Sequence, residues 1–158
     1  MSKRLWDISP RVHAGAPVFP GDTAYRQEWV ATISPGCPVN VSAITMSPHV
    51  GAHADAPLHY DPEGAPIGEV DLTPYLGHCR VIHAIDCGPL VRREHVAHAL
   101  ADLPPRVLVR TYRRAPQDAF DNDLPAFDAA LIEAFAERGV RLVGIDSSSV
   151  DPASSKEL

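Results

Sequence analysis

The sequence predicts a single domain of the α/β class, and three observations support this. The first half is rich in β-branched residues and proline, which favours short strands joined by long loops. The second half alternates strand-like and helix-like stretches, which indicates parallel strands joined by βαβ crossovers. A length of 158 residues suits one domain with a buried core. We therefore expect one domain over residues 1–158.

The first half is expected to contain three short strands. Residues 5–10 alternate briefly, residues 25–33 mix polar and apolar side chains, and residues 39–47 are rich in β-branched side chains. Residues 12–22 form a loop with a turn at Pro20-Gly21. Phe19 lies in this loop, and the sequence leaves open whether it packs in the core or covers a ligand.

The second half is expected to contain three strands and two helices. The strands are predicted at residues 79–86, 106–111 and 140–146, and a short helix is predicted at residues 94–103. The prediction of the second helix rests on helical spacing of apolar residues, with a proline near the start and a glycine past the end. The residues at helical spacing are Phe127, Leu131, Ala134 and Phe135, while Pro125 lies near the start and Gly139 follows the end.

Polar residues follow the last predicted strand, where sites of α/β proteins often gather. Asp146 could face the histidine-rich stretch described below, or it could cap the turn that follows it. The sequence leaves both possibilities open and assigns no role to Ser147.

Charge and composition exclude several kinds of partner. Fourteen basic and twenty acidic residues give a formal net charge of -6, which argues against binding to nucleic acid. The three cysteines form no CxxC pair and predict reduced thiols. We find neither the apolar run of a signal peptide nor the roughly 20 apolar residues that cross a membrane. A cytoplasmic protein that does not bind membranes is expected.

The histidine-rich stretch is residues 47–60. His49, His53, Asp55 and His59 occupy odd positions, and apolar side chains fill the even positions between them. Successive side chains of an extended chain point to opposite faces. The spacing therefore predicts an extended segment with the four polar side chains on one face, ending in a turn near Pro57.

These residue types suit a metal-dependent hydrolase. A catalytic zinc commonly has three protein ligands and a water, and His49, His53 and Asp55 supply two imidazoles and a carboxylate. His59 is then a spare imidazole that can move a proton, since its ordinary pKa is about 6.5. Metal-activated water would attack an amide or ester carbonyl. The alternative is that these histidines are hydrogen-bonded structural residues.

Residues 49–59 match the pattern HxGxHxDxPxH, which is the signature of the metal-dependent cyclase and hydrolase family. Other stretches resemble one branch of this family, the bacterial kynurenine formamidases (arylformamidases). They are residues 5–10, 20–22, 56–60 and 144–147. The resemblance extends over nearly the whole chain.

The resemblance implies hydrolysis of the small molecule N-formyl-L-kynurenine to L-kynurenine and formate, in tryptophan degradation. It implies zinc on His49, His53 and Asp55, with Asp55 bridging two zinc ions in the complete site. His59 would donate and accept protons, and Phe19 would pack on the substrate where this branch usually has tryptophan. The implied fold is a mixed, partly closed, barrel-like sheet flanked by helices, and the implied assembly is a homodimer.

The sequence departs from the family pattern at its end. The family completes its two-metal site with a histidine and a glutamate from a segment that follows the equivalent of Ser155-Lys156. Glu157 does not match that glutamate, so we expect this 158-residue form to hold one zinc or none and to have low activity. The alternatives are a related hydrolase acting on isatin-like cyclic amides and a non-enzymatic, truncated metal-binding form.

Overall fold

The computed structural model describes residues 4–152, 154 and 155 of the protein. The chain is organised as two compact units, which we describe separately. The first contains Met1–Asp55 and Pro116–Phe120, and the second contains Ala56–Ala115 and Asp121–Leu158. The single-domain prediction stays a prediction. Glu157 lies outside the described residues, so the expectation about it is not tested.

The first unit contains an antiparallel pair of strands, β1 (Arg26–Ala31) and β2 (Val41–Thr45). A bulge between Trp29 and Ala31 interrupts their register. Both strands were predicted and are shorter than expected. The strand predicted at residues 5–10 is wrong: these residues are exposed and, within the part of the chain described, pair with no strand.

The second unit contains a parallel sheet of three strands in the order β3-β5-β7. These strands are β3 (Arg80–His83), β5 (Arg106–Arg110) and β7 (Leu142–Ile145). Their parallel pairing confirms the predicted crossovers. A second parallel pair, β4 (Leu90–Val91) with β6 (Ala126–Phe127), was not predicted, because two-residue strands carry no periodic signal.

Helix α1 (Arg93–Val96) is shorter than predicted and continues as a 3₁₀ turn, Ala97–Ala99. His95 Nδ1 accepts a hydrogen bond from the Arg92 amide at 3.0 Å, which satisfies a donor before the helix. Asp102 has a φ of 50°, a left-handed conformation that an α-helix does not tolerate. The prediction of helix to residue 103 is therefore wrong.

Helix α2 (Ala129–Glu137) agrees well with the sequence prediction. Asp128 caps its start by accepting a hydrogen bond from the Ala130 amide at 3.1 Å. Gly139 follows its end with a φ of 79°, a conformation that glycine adopts without strain. Phe127 was predicted in the helix but belongs to β6, one residue before the cap.

The core of the second unit lies between its parallel sheet and its helices. One face of the sheet packs against α1 and α2, and its central side chains are almost fully buried. These core residues are Ile82, Val91, Val96, Val107, Val109, Phe127, Leu131 and Phe135. This core fixes the ends of the parallel strands.

Three further 3₁₀ turns occur between β2 and β3, at Pro57–His59, Ile67–Glu69 and Thr73–Tyr75. The strands include both antiparallel and parallel pairs, so the mixed α/β class is confirmed. A closed barrel is not seen among the described strands, whose sheets contain two or three strands each. None of the described helices has the length and apolar character that spanning a membrane requires.

We expect Leu131→Ala to lower the free energy of unfolding by ~2–5 kcal/mol, because Leu131 is fully buried in this core. Ile132→Ala is the matched control, since the adjacent Ile132 is 38% exposed and should cost less than ~1 kcal/mol. Urea unfolding of both variants measures the difference. Equal losses would contradict the assignment of this helix face to the core.

Candidate metal centre

The histidine-rich stretch forms a tight turn where an extended segment was predicted. The Val50 amide donates to the Ser47 carbonyl at 3.2 Å, and Gly51 has a φ of 78°. A side chain at residue 51 would also clash, because a Cβ there would lie 2.7 Å from Val12 Cγ2. Val50 is 3% exposed and anchors the turn. The single extended face is therefore a wrong prediction, although the residues it selected do converge.

The turn brings three donor atoms of the predicted ligands together. His49 Nδ1 lies 3.0 Å from Asp55 Oδ1 and 3.2 Å from His53 Nε2. His53 Nε2 lies 3.5 Å from the same Asp55 oxygen. The three side chains are 22% to 30% exposed, so the cluster is partly shielded and still open to solvent.

A backbone carbonyl orients one of these imidazoles. His53 Nδ1 lies 2.9 Å from the Gly51 carbonyl oxygen, which can only accept a hydrogen bond. Nδ1 must therefore carry the proton in this contact, and a neutral His53 then presents the lone pair of Nε2 to the cluster. Metal-binding histidines are commonly oriented in this way by a second hydrogen bond.

The spacing of the three atoms fits a metal ion. Zinc bound at about 2.0–2.2 Å by tetrahedral ligands places those ligands about 3.3 Å apart. The observed separations of 3.0, 3.2 and 3.5 Å bracket that value. A single proton on His49 could join it to only one neighbour at a time, whereas one cation can be shared by all three atoms. The donor set therefore suits a divalent cation with nitrogen and oxygen ligands.

Sequence reasoning missed two residues that hold the turn. The Ser47 hydroxyl donates to Asp22 Oδ2 at 2.5 Å and accepts from the His49 amide at 3.2 Å. The hydrogen bond from Ser47, with a second from the Thr23 amide, lowers the pKa of the Asp22 carboxyl. Ser47 stands two residues before the first histidine, and Asp22 follows Pro20-Gly21. Both residues stand next to features that the sequence makes visible, but nothing in the sequence shows that their side chains meet.

His59 belongs to the second unit, four residues after Asp55 in the chain. It is the last residue of the 3₁₀ turn Pro57–His59 and is exposed. Its ring packs edge-to-face against Tyr60 with centroids 4.6 Å apart. Pro57 begins this turn, so the turn predicted near Pro57 is confirmed.

Phe19 is 45% exposed, so the interpretation of this side chain as a core residue is wrong. Its ring makes an edge-to-face contact with Phe120, with centroids 5.4 Å apart, inside the first unit. Phe120 is half-buried, and the contact leaves part of the Phe19 ring exposed. Its role toward a ligand stays a prediction.

Asp146 hydrogen-bonds outside the turn that follows it, although capping that turn was one of the two possibilities left open by the sequence. Its Oδ1 accepts from the Thr111 amide and hydroxyl, both at 2.7 Å, and its Oδ2 accepts from the Tyr112 amide at 3.2 Å. It therefore fastens the end of β7 to the end of β5. Burial and a hydrogen bond to Asp121 raise the pKa of the neighbouring Tyr112. A cavity of about 700 Å³ adjoins Tyr112 in the second unit, and none of the three clustered ligands lines it.

Comparison with known proteins finds relatives over nearly the whole chain. The model of the Cyclase family matches residues 6–152. A kynurenine formamidase from Delftia acidovorans is 68% identical over 158 residues, which are 100% of this chain and 75% of the relative. A kynurenine formamidase from Bordetella pertussis is 64% identical over 156 residues, covering 99% of this chain and 75% of the relative. The chain thus spans about three quarters of these relatives.

Two solved structures share the fold at 24% sequence identity. One is described as a potential metal-dependent hydrolase with cyclase activity and has a TM-score of 0.76, covering 95% of this chain and 71% of the other. The second is described as a predicted metal-dependent hydrolase from Bacillus stearothermophilus and has a TM-score of 0.75, covering 96% of this chain and 72% of the other. The extent of the family match and the high identity of the relatives lead to one conclusion: the chain belongs to the Cyclase family.

Proposed function

We propose that this protein is a metal-dependent hydrolase that converts N-formyl-L-kynurenine and water to L-kynurenine and formate. The observation that carries the proposal is the convergence of His49, His53 and Asp55 in a chain 68% identical to a kynurenine formamidase. The bond that breaks joins the formyl carbon to the nitrogen on the aromatic ring. The oxygen of water ends in formate, and one proton ends on the released amine.

His49, His53 and Asp55 would hold the metal ion, and zinc fits their nitrogen and oxygen donors. A bound divalent cation supplies Lewis-acid chemistry, which lowers the pKa of water and polarises a carbonyl. Asp55 would supply a carboxylate oxygen to the ion beside the two imidazoles. The Gly51 carbonyl keeps the His53 lone pair directed at the cluster.

His59 would carry the proton. Imidazole is the side chain that most readily accepts a proton from water and returns it near neutral pH. The recipient is the ring-bound nitrogen, which needs a proton to leave as a neutral amine. The exposure of His59 on a short 3₁₀ turn supports this role, because the imidazole is accessible to substrate and solvent.

Phe19 would contact the aromatic ring of the substrate. Its partly exposed face and its edge-to-face contact with Phe120 leave a surface on which another ring can stack. Phenylalanine lacks the indole N–H that a tryptophan would offer at this position. We therefore assign Phe19 a packing role without a hydrogen bond.

The wider setting we propose is a cytoplasmic homodimer with a barrel-like sheet. Cys37, Cys79 and Cys87 are free thiols, which suits a reducing compartment. Strands β1 and β2 expose large apolar side chains, including Trp29 at 61% and Ile44 at 57%. A second copy of the chain could cover them, since contiguous exposed apolar surface commonly marks an interface.

Removal of metal should abolish hydrolysis. We expect dialysis against a chelator to eliminate formate release from N-formyl-L-kynurenine, and addition of zinc to restore it, because the proposed chemistry needs a Lewis acid. Formate release and elemental analysis of the same samples provide the two measurements. Full activity in a sample shown to be free of metal would contradict the proposal.

His59→Ala should separate metal binding from turnover. We expect the variant to keep most of its metal and to lose ~10²–10⁴-fold in kcat, the usual contribution of general acid–base catalysis. His98→Ala is the control, since His98 is an exposed histidine on another 3₁₀ turn, Ala97–Ala99. An unchanged kcat in His59→Ala would show that another group moves the proton.

Substrate preference distinguishes a kynurenine formamidase from a related hydrolase that acts on isatin-like cyclic amides. We expect kcat/KM for N-formyl-L-kynurenine to exceed that for isatin-like lactams by at least ~10-fold, because open formamides and ring amides place their carbonyls differently. Parallel assays with equal metal loading give the ratio. A preference for the lactam would reassign the enzyme within its family.

A further inference from the structure

We propose that Ser47 and Asp22 are positioning residues for the metal centre, which hold the backbone of His49 in its ligating position. This inference rests on the proposed function, because it assigns to the two residues a role toward the metal. Neither residue was selected by the histidine pattern, and neither offers a donor atom to the cluster in the structure.

Ser47 is buried, with 4% of its surface exposed, and is joined to its surroundings by four hydrogen bonds. Its hydroxyl donates to Asp22 and accepts from the His49 amide. Its own amide donates to the Thr23 carbonyl at 2.9 Å, and its carbonyl accepts from Val50. Such a residue has little freedom to move, and it lies two positions before the first metal ligand.

Asp22 is fixed in turn by its own loop. Its Oδ1 accepts from the Thr23 amide at 2.8 Å, and its amide donates to the Phe19 carbonyl at 2.9 Å. Gly21 permits this turn with a φ of 93°. The hydrogen bond from Ser47 to Asp22 therefore fastens the ligand turn to a second, independently formed turn, the one that carries Phe19.

The His49 amide is the link to the metal. Its hydrogen bond to Ser47 sets the start of the turn in which His49 Nδ1 comes within 3.0 Å of Asp55. Ligand separations near 3.3 Å leave little tolerance, since displacement of one donor by about 1 Å forfeits the geometry that the ion requires. Outer-shell hydrogen bonds of metal sites typically change metal affinity about 10–100-fold when removed.

A purely structural role is the competing explanation. In that case loss of the Ser47 hydroxyl would lower the stability of the first unit and leave the ligand geometry of folded molecules unchanged. The two explanations differ in a spectroscopic property of the bound metal, which a change in global stability does not alter. Cobalt(II) serves as the probe, because its visible absorption reports ligand geometry.

The experiment titrates cobalt(II) into the whole chain and its Ser47→Ala, Asp22→Ala and doubly substituted variants. Each single substitution should weaken cobalt affinity about 10–100-fold and alter the visible spectrum. The double variant should bind cobalt no more weakly than the single variant of lower affinity, since both substitutions remove the same hydrogen bond. Urea unfolding without metal identifies the variants that fold.

Asp71→Ala is the matched control. Asp71 accepts hydrogen bonds from the hydroxyl and amide of Thr73, so it forms the same kind of aspartate–hydroxyl contact far along the chain from the ligands. Its cobalt affinity and spectrum should equal those of the unaltered chain. Ser47→Thr offers a second comparison, because it restores the hydroxyl and should recover the spectrum if it folds.

The outcomes are distinct. If the unaltered chain binds cobalt and folded Ser47→Ala and Asp22→Ala bind it with the same affinity and spectrum, the positioning role is wrong and the proposed function stands. If the unaltered chain binds no cobalt, the metal-dependent function fails and the positioning role fails with it. Weaker affinity with a changed spectrum in both single variants supports the positioning role.

Discussion

Three electron-rich atoms that face one another within 3.5 Å are the feature on which the site depends. Two imidazole nitrogens and a carboxylate oxygen held this close repel one another unless a hydrogen atom or a cation lies between them. A proton can link only one pair of these atoms, whereas a divalent cation can be coordinated by all three. The arrangement therefore makes physical sense as a metal centre, and the chemistry proposed for the protein follows from it.

The fold provides this convergence by local means. Gly51 allows a left-handed turn where a side chain would meet Val12, and the carbonyl of Gly51 orients His53. Buried Val50 anchors the turn by its side chain, and buried Ser47 anchors it by hydrogen bonds. The candidate ligands thus come from one short segment, and a hydrogen bond from Ser47 to Asp22, 25 residues apart in sequence, holds that segment in place.

The sequence pattern selected the candidate ligands, which do converge, but it predicted the wrong geometry for them. The alternation of His49, His53 and Asp55 with small apolar residues resembles a strand, and periodicity alone cannot reveal that Gly51 reverses the chain. The end of α2 was predictable, because the left-handed conformation that ends a helix is one that glycine adopts readily, and Gly139 stands there. The two-residue strand β6 and the Ser47–Asp22 bond were not predictable, since both depend on partners distant in sequence.

X-ray absorption at the zinc edge of the zinc-loaded protein reports directly whether His49, His53 and Asp55 hold the ion. We expect a first shell of nitrogen and oxygen atoms at about 2.0–2.2 Å, with the multiple-scattering signature of two imidazoles. That signature should weaken in a His53→Ala variant. A shell containing sulfur at about 2.3 Å, which would indicate Cys37, Cys79 or Cys87, would show that the ion is held elsewhere, as would the absence of imidazole scattering.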